Sequence, residues 1–257
     1  MEKTVGAFIR LGYVAKALVY VVIGVLALKV AAGVGGGRIT DQGGALYVVL
    51  GQPFGSTLLI VLAAGLLTYA AWQIVRAVFG RDHHAHEGWG DRALTVVKAL
   101  VYAAIGWKGM KLALGLRAGD SGPEPLVREA LQWPLGEWLI VVAGLGVGWY
   151  GLVEIKDAFQ GNLEPDLDGP TLRARAGNWA LNVARGGIGA RGVLMVILGI
   201  GLIRAGLAER ASEAGGMDSS LLVLNALPQG TLLLAAAAAG VFAYGVYMFL
   251  HARYAQL

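Results

Sequence analysis

Apolar residues run in long uninterrupted stretches along this chain, and polar residues gather in short breaks between them. A membrane span needs about 20 predominantly apolar residues. Six stretches reach that length: Leu11–Ala32, Gly55–Phe79, Leu94–Leu116, Gly136–Phe159, Arg191–Leu207 and Gly230–Leu250. Three shorter apolar pieces, Ala45–Leu50, Leu126–Trp133 and Leu221–Leu227, precede the second, fourth and sixth. They are too short to span and read as helices lying at the outer interface. Thr171–Gly187 mixes Leu172, Trp179, Leu181 and Val183 with Arg173, Arg175 and Arg185, the pattern of an interfacial helix resting on headgroups.

The pattern repeats. Gly12–Gly24, with Lys16 and Tyr20 inside it, returns as Val96–Gly106 with Lys98 and Tyr102, and more weakly as Gly189–Gly199 with Arg191. The partner helices repeat too. Pro53, Pro134 and Pro228 each precede a span, Gly55, Gly136 and Gly230 follow two residues on, and Gly65, Gly146 and Gly240 lead to Tyr69, Tyr150 and Tyr244. A repeat at a fixed period sets the architecture before any local reading. The expected fold is an all-α membrane protein of one domain, 1–257. It has six transmembrane helices as three pseudo-threefold two-helix units at about 8–80, 90–160 and 183–253.

Composition agrees. Charged residues make up 15% of the chain and apolar residues 56%, and 40 of the 257 residues are Gly. Soluble domains carry about 25% charge, and Gly is favoured where membrane helices approach closely. The first apolar run resembles a secretory signal, but the same pattern recurs deep in the chain, so it reads as a span. The net charge of +4 reads as loop topology rather than nucleic-acid binding. Most Lys and Arg fall on the side holding both termini, which places the termini in the cytoplasm of a bacterial inner membrane.

The cations align in three layers. Arg10, Arg92 and Arg185 form one, and Lys29, Lys111 and Arg204 another. From position 10 to position 29 is about 28 Å of helix, close to one hydrocarbon thickness, so these two layers read as cations reaching the headgroups. The middle layer is Lys16, Lys98 and Arg191. Gly12, Lys16, Tyr20 and Gly24 are spaced by four and form one helical stripe. A cation at that depth is costly against lipid and belongs inside the bundle. Two readings are open. The layer is neutralised internally, with Glu154 near the depth of Lys98 as a candidate partner and Asp157 one turn beyond. Alternatively, Lys16, Lys98 and Arg191 hold an outside anion or anionic lipid, with Tyr20 and Tyr102 supplying hydroxyls one turn deeper. Tyr69, Tyr150 and Tyr244 read as packing residues between helices.

Other chemistry is poorly represented. There is no Cys, which excludes disulfides and thiolate sites. His83, His84 and His86 form a loop tract that reads as solvated. No span carries a His pair for haem or a carboxylate–His cluster, and no nucleophile or cofactor motif occurs. The expectation is a non-enzymatic protein without a cofactor, which binds or conducts an anion or anionic lipid. The alternative is a structural or accessory subunit, its Gly-rich faces packing on a second copy or a membrane-protein partner.

Gly12-Tyr13-x-Ala15 with Val19-Tyr20-x-x-Ile23-Gly24, then Pro53-Phe54-Gly55 and Gly65-x-x-x-Tyr69, resembles an uncharacterised bacterial integral-membrane family known as domain of unknown function 1206. The resemblance implies six spans in three tandem pairs over nearly the whole chain, and implies no activity. The third unit departs most from the pattern, with Met195 in place of the Tyr and Gln229 between Pro228 and Gly230.

Overall fold

A computed structural model describes residues 2–79, 89–118, 123–160, 163 and 169–254. All its regular structure among those residues is helical. Six long helices carry the fold: α1 (Glu2–Ala31), α3 (Gly55–Phe79), α4 (Trp89–Ala113), α6 (Gly136–Gln160), α8 (Asn178–Leu207) and α10 (Gly230–Tyr254). Between them lie four short helices, α2 (Gln42–Leu50), α5 (Glu124–Ala130), α7 (Gly169–Ala176) and α9 (Met217–Ala226). Five of the long helices, α1, α3, α6, α8 and α10, are long and apolar enough to cross a membrane. The chain is therefore a multi-pass membrane protein. The sixth, α4, is the least apolar and carries Asp91, Arg92, Lys98, Lys108 and Lys111.

Two boundaries differ from expectation. Thr171–Gly187 is not one interfacial helix. Gly177 takes a left-handed φ of 89°, ends α7, and lets α8 begin at Asn178. The span expected from Arg191 thus starts 13 residues earlier and includes Trp179 and Arg185. Leu172 of α7 is fully buried, so this short helix packs on the bundle.

The turns into α3, α6 and α10 are one structure used three times. Phe54, Leu135 and Gln229 all have φ near 60°, a region disfavoured for residues with a side chain. Each is followed by the glycine that starts the helix. A Cβ on Gly55, Gly136 or Gly230 would lie 2.1, 1.9 or 1.9 Å from the carbonyl oxygen of Leu50, Ala130 or Asn225. Gln229 therefore preserves the turn even though it departs from the other two units in type. At the far end from the chain termini, Asp41 caps α2, its carboxylate accepting from the Gly44 N–H at 2.7 Å.

Helix packing follows a ring order with one break. α1 packs on α3, α3 on α4, α6 on α8, α8 on α10, and α10 back on α1, whereas among the described residues α4 and α6 lack a comparable interface. Small residues form the closed seams. Gly144, Gly151, Gly192 and Gly199 bring the backbones of α6 and α8 together, and a Cβ on Gly151 would lie 2.6 Å from the Gly192 carbonyl oxygen. Without a hydrophobic drive between helices in lipid, such close backbone approach is a main source of association.

Gly151→Val therefore lowers the thermal midpoint in detergent, by about 1–3 kcal/mol of overpacking. Gly146→Val on the same helix leaves it unchanged, because a Cβ there meets nothing within 4 Å. Burial holds the Asp41 carboxyl above its ordinary range. A folded-state value above the unfolded one means a stability contribution present at low pH and lost as pH rises through the raised value. Asp41→Asn, which keeps the cap, should thus be more stable than the wild type at neutral pH. The difference should vanish below about pH 4 in thermal melts.

Candidate functional site

Inside the ring, toward the end that holds both termini, side chains of α1, α3, α4, α6, α8 and α10 meet in one polar cluster. Helix α1 projects Lys16 from the stripe that also carries Gly12, Tyr20 and Gly24. The Lys16 side chain is almost fully buried, at 2% exposure. Its Nζ donates to the Tyr69 hydroxyl at 3.2 Å and lies 5.0, 5.2 and 5.4 Å from the ring centroids of Tyr69, Tyr102 and Tyr244. Each such contact with a desolvated ring is worth about 0.5–2 kcal/mol. Tyr69 also accepts from Gln73 Nε2 at 2.8 Å.

Arg191 of α8 is buried as well and makes the densest contacts. Its guanidinium forms an ion pair with Glu154 of α6, donates from Nη1 to the Tyr150 hydroxyl at 3.2 Å and from Nε to the Tyr20 hydroxyl at 3.3 Å. Tyr150 in turn donates to Glu154 at 2.5 Å. The Tyr20 and Tyr102 hydroxyls lie 3.2 Å apart. Met195 stands where the first two units have those tyrosines, and Tyr20 of the first unit reaches Arg191 in its stead. Lys98 of α4 lies 4.6 Å over the Tyr150 ring and is half-buried.

One relation recurs in all three repeats. The cation of the first helix sits over the tyrosine of the second helix in its own unit: Lys16 over Tyr69 at 5.0 Å, Lys98 over Tyr150 at 4.6 Å, Arg191 over Tyr244 at 5.1 Å. Edge-on tyrosine contacts tie the cages together, Tyr69 to Tyr102 at 5.0 Å and Tyr20 to Tyr244 at 4.8 Å. Beyond them, Tyr13 stacks on the buried His251 ring at 4.1 Å.

The structure thus brings together all five residues singled out from the sequence, Lys16, Lys98, Arg191, Tyr20 and Tyr102. It corrects two assignments. Glu154 pairs with Arg191 of the next unit, across the close seam between α6 and α8. Tyr69, Tyr150 and Tyr244 line the cation cluster in addition to packing helices. Their hydroxyls, at the same position in every unit, are the signal that identifies them. Gln73 and His251 join the cluster without any such signal. Among the flanking layers, Arg185 donates to the carbonyl oxygens of Ala158 and Phe159, Arg10 and Lys29 are exposed, and Arg204 lies 3.7 Å from Glu213. The Arg76 and Arg92 side chains and the His83, His84 and His86 tract lie outside the described residues. Among the described residues no group of three His, Asp or Glu side chains is placed to hold a metal.

In this site Glu154 is the one buried carboxylate among the described residues, and it pairs with Arg191. Two buried acceptors, Glu154 Oε2 and Gln73 Oε1, meet no donor among the described residues. Removing one partner of a buried pair strands the other charge, at a cost of about 3–5 kcal/mol, whereas replacing both with apolar residues is often neutral. Arg191→Gln and Glu154→Leu should each sharply lower the thermal midpoint in detergent, and Arg191→Met combined with Glu154→Leu should recover most of the loss.

A relative aligns with 97% of this chain and 91% of its own length at 28% identity: "Uncharacterized protein YxxB" of Bacillus subtilis (strain 168). No solved structure matches. The family described as Domain of Unknown Function (DUF1206) matches residues 11–80, 95–161 and 186–255, three tandem copies that each contain one cation of the middle layer and the tyrosine over which it sits, so the chain belongs to that family.

Proposed function

We propose that this protein crosses a bacterial inner membrane six times, with α4 as the remaining span and both termini in the cytoplasm. Its three units are arranged about a pseudo-threefold axis, and the central cluster is a non-catalytic binding site for an anionic group. One observation carries the reading. Three cations from equivalent positions converge on one tyrosine cage, and among the described residues a single buried carboxylate accompanies them. Each cation is over the tyrosine of its own unit, a relation that a threefold arrangement generates directly.

The electrostatics favour an anion. Charges removed from water interact strongly in a low-dielectric interior, and Glu154 is already committed to Arg191. Lys16 and Lys98 lie over tyrosine ring faces, which stabilise a cation. An anionic oxygen would gain charge-assisted hydrogen bonds from both ammonium groups. The two acceptors without protein donors, Gln73 Oε1 and Glu154 Oε2, call for donors from outside the protein, which water or a hydroxyl of the ligand supplies. Tyr20 and Tyr102 complete the donor set at the deeper edge.

The test keeps Arg191, whose loss would strand Glu154, and removes the other two charges. In detergent, Lys16→Gln combined with Lys98→Gln should weaken inorganic phosphate binding by about tenfold or more, with a retained helical spectrum and a sharp melt. Unchanged phosphate binding in that folded variant would overturn the reading, whereas a stoichiometric protein partner that buries the cluster would favour an accessory-subunit role.

A further inference from the structure

Glycines that close a helix seam are known by what they touch. A Cβ on Gly12 of the first unit would lie 2.8 Å from Tyr69 Cβ, and one on its counterpart Gly187 in the third would lie 2.4 Å from the Tyr244 nitrogen. The second unit has Leu94 there, and Val97 where the other two have Ala15 and Ala190. Two further glycines of α8 close nothing. A Cβ on Gly186 would meet no atom within 4 Å, and one on Gly189 would meet Ala158 Cβ at 3.4 Å, an ordinary contact. Their counterparts carry side chains, Leu11 and Val14 in the first unit and Ala93 and Val96 in the second. Glycine inside a helix is destabilising relative to alanine. Two that close packing does not demand point to the space they leave.

That space is a cavity of about 400 Å³, lined by Ala158 and Phe159 of α6 and by Arg185, Gly186 and Gly189 of α8. Its size falls within the range of small-ligand pockets, roughly 300–1,000 Å³. It lies on the outer face of the bundle. Phe159 is 77% exposed and Gly186 is exposed, whereas Arg191 turns inward to the central cluster. Arg185 donates from Nε to the Ala158 carbonyl oxygen at 2.8 Å and from Nη2 to that of Phe159. It thus covers carbonyls in the last turn of α6, where a cation is favoured. Both acceptors are neutral, and neither bond uses Nη1. Lys156, exposed, shares one face of α6 with Leu152 and Phe159.

We propose that this cavity binds an acidic phospholipid from the leaflet on the side of the chain termini. One acyl chain fills the space left by Gly186 and Gly189 against the Phe159 ring. The phosphate accepts from Arg185 Nη1, with Lys156 adding charge from α6. The setting and the charge select this occupant. Both walls belong to helices long and apolar enough to cross a membrane, so their outer face meets lipid. Basic pockets between membrane helices recognise acidic headgroups, and a guanidinium binds phosphate through charge-assisted hydrogen bonds. An apolar floor beside a cationic rim matches a molecule with a tail and an anionic head. A soluble anion makes no use of the floor, and a zwitterionic lipid makes less use of the rim. The site lies outside the central cluster and does not rest on the anion reading of that cluster.

The experiment reconstitutes the full chain in bilayers of equal phosphatidylglycerol and phosphatidylcholine, releases it into mild detergent, and reads the retained lipid by native mass spectrometry. The wild type should retain phosphatidylglycerol in preference to phosphatidylcholine. Gly186→Leu combined with Gly189→Val restores the side chains of the first unit and should lower phosphatidylglycerol retention by about tenfold. Arg185→Gln, which keeps an amide donor for the α6 carbonyls, should abolish the preference between the two lipids. Ile200→Phe, at an exposed position of α8 away from the cavity, should change neither. The Lys16→Gln, Lys98→Gln variant should retain lipid as the wild type does, which separates this site from the central cluster. If the filled variant fails to fold, Gly186→Cys, labelled after folding with a bulky maleimide in this cysteine-free chain, gives the same comparison before and after labelling. Wild-type retention in the filled or labelled protein overturns the site, as does loss of the lipid in the Lys16→Gln, Lys98→Gln variant. No preference in the wild type, or a preference that survives Arg185→Gln, overturns an acidic phospholipid as the occupant.

Discussion

A cation carried into a hydrocarbon environment must be answered by groups of the protein itself, and the interior of this bundle is organised by that requirement. Each of the three units brings one cation inward, and each answers it first with a tyrosine face from its own second helix. The aromatic ring suits the task because its quadrupole attracts the cation while its edge packs as a hydrophobe. Arg191 also pairs with the buried carboxylate of Glu154. Its planar guanidinium can donate to Tyr20, Tyr150 and Glu154 at once, which a lysine ammonium on a flexible stem does less well. The arginine therefore stands in the unit whose neighbouring helix supplies the acid.

That placement depends on which helices touch. The glycine seams bring α6 against α8 so closely that Glu154 and Arg191 meet across units. Similar depth made Glu154 a candidate partner of Lys98, which needs the two helices of one unit to pack closely, and that packing holds for α1 with α3 and for α8 with α10. It fails for α4 with α6, where Leu94 and Val97 replace the small residues of the other two units. The seam was legible in the sequence at those two positions, but only after the glycine and alanine equivalents are known to be contact residues. Periodicity identifies a helix and its apolar length, and says nothing of the partner to which a given face is turned.

The long helices and the cation layer were legible because lipid imposes a length and a sign on the sequence. The short helices were legible only in part. Thr171–Gly187 has the residue types of an amphipathic helix, yet Gly177 divides it, since a left-handed φ there ends α7 and frees Asn178 to begin α8. Composition places such a segment near the headgroups and leaves its backbone break unread. The tyrosines Tyr69, Tyr150 and Tyr244 were legible as repeated residues, and their dual use was not. A buried tyrosine in a helix seam needs a partner for its hydroxyl, and that partner is set by tertiary contacts.

Asymmetry within a repeated architecture is informative because the repeats serve as controls for one another. Two units show that the small-residue seam closes with this backbone, and that closing it buries the tyrosine and the cation behind it. The second unit keeps the tyrosine, the cation and the mid-helix glycine while enlarging the two residues that would close the seam. Lys98 still lies over the Tyr150 ring there, and Tyr150 still bonds to Glu154 and Arg191, so the relation between cation and tyrosine does not depend on the small-residue seam that accompanies it in the other two units.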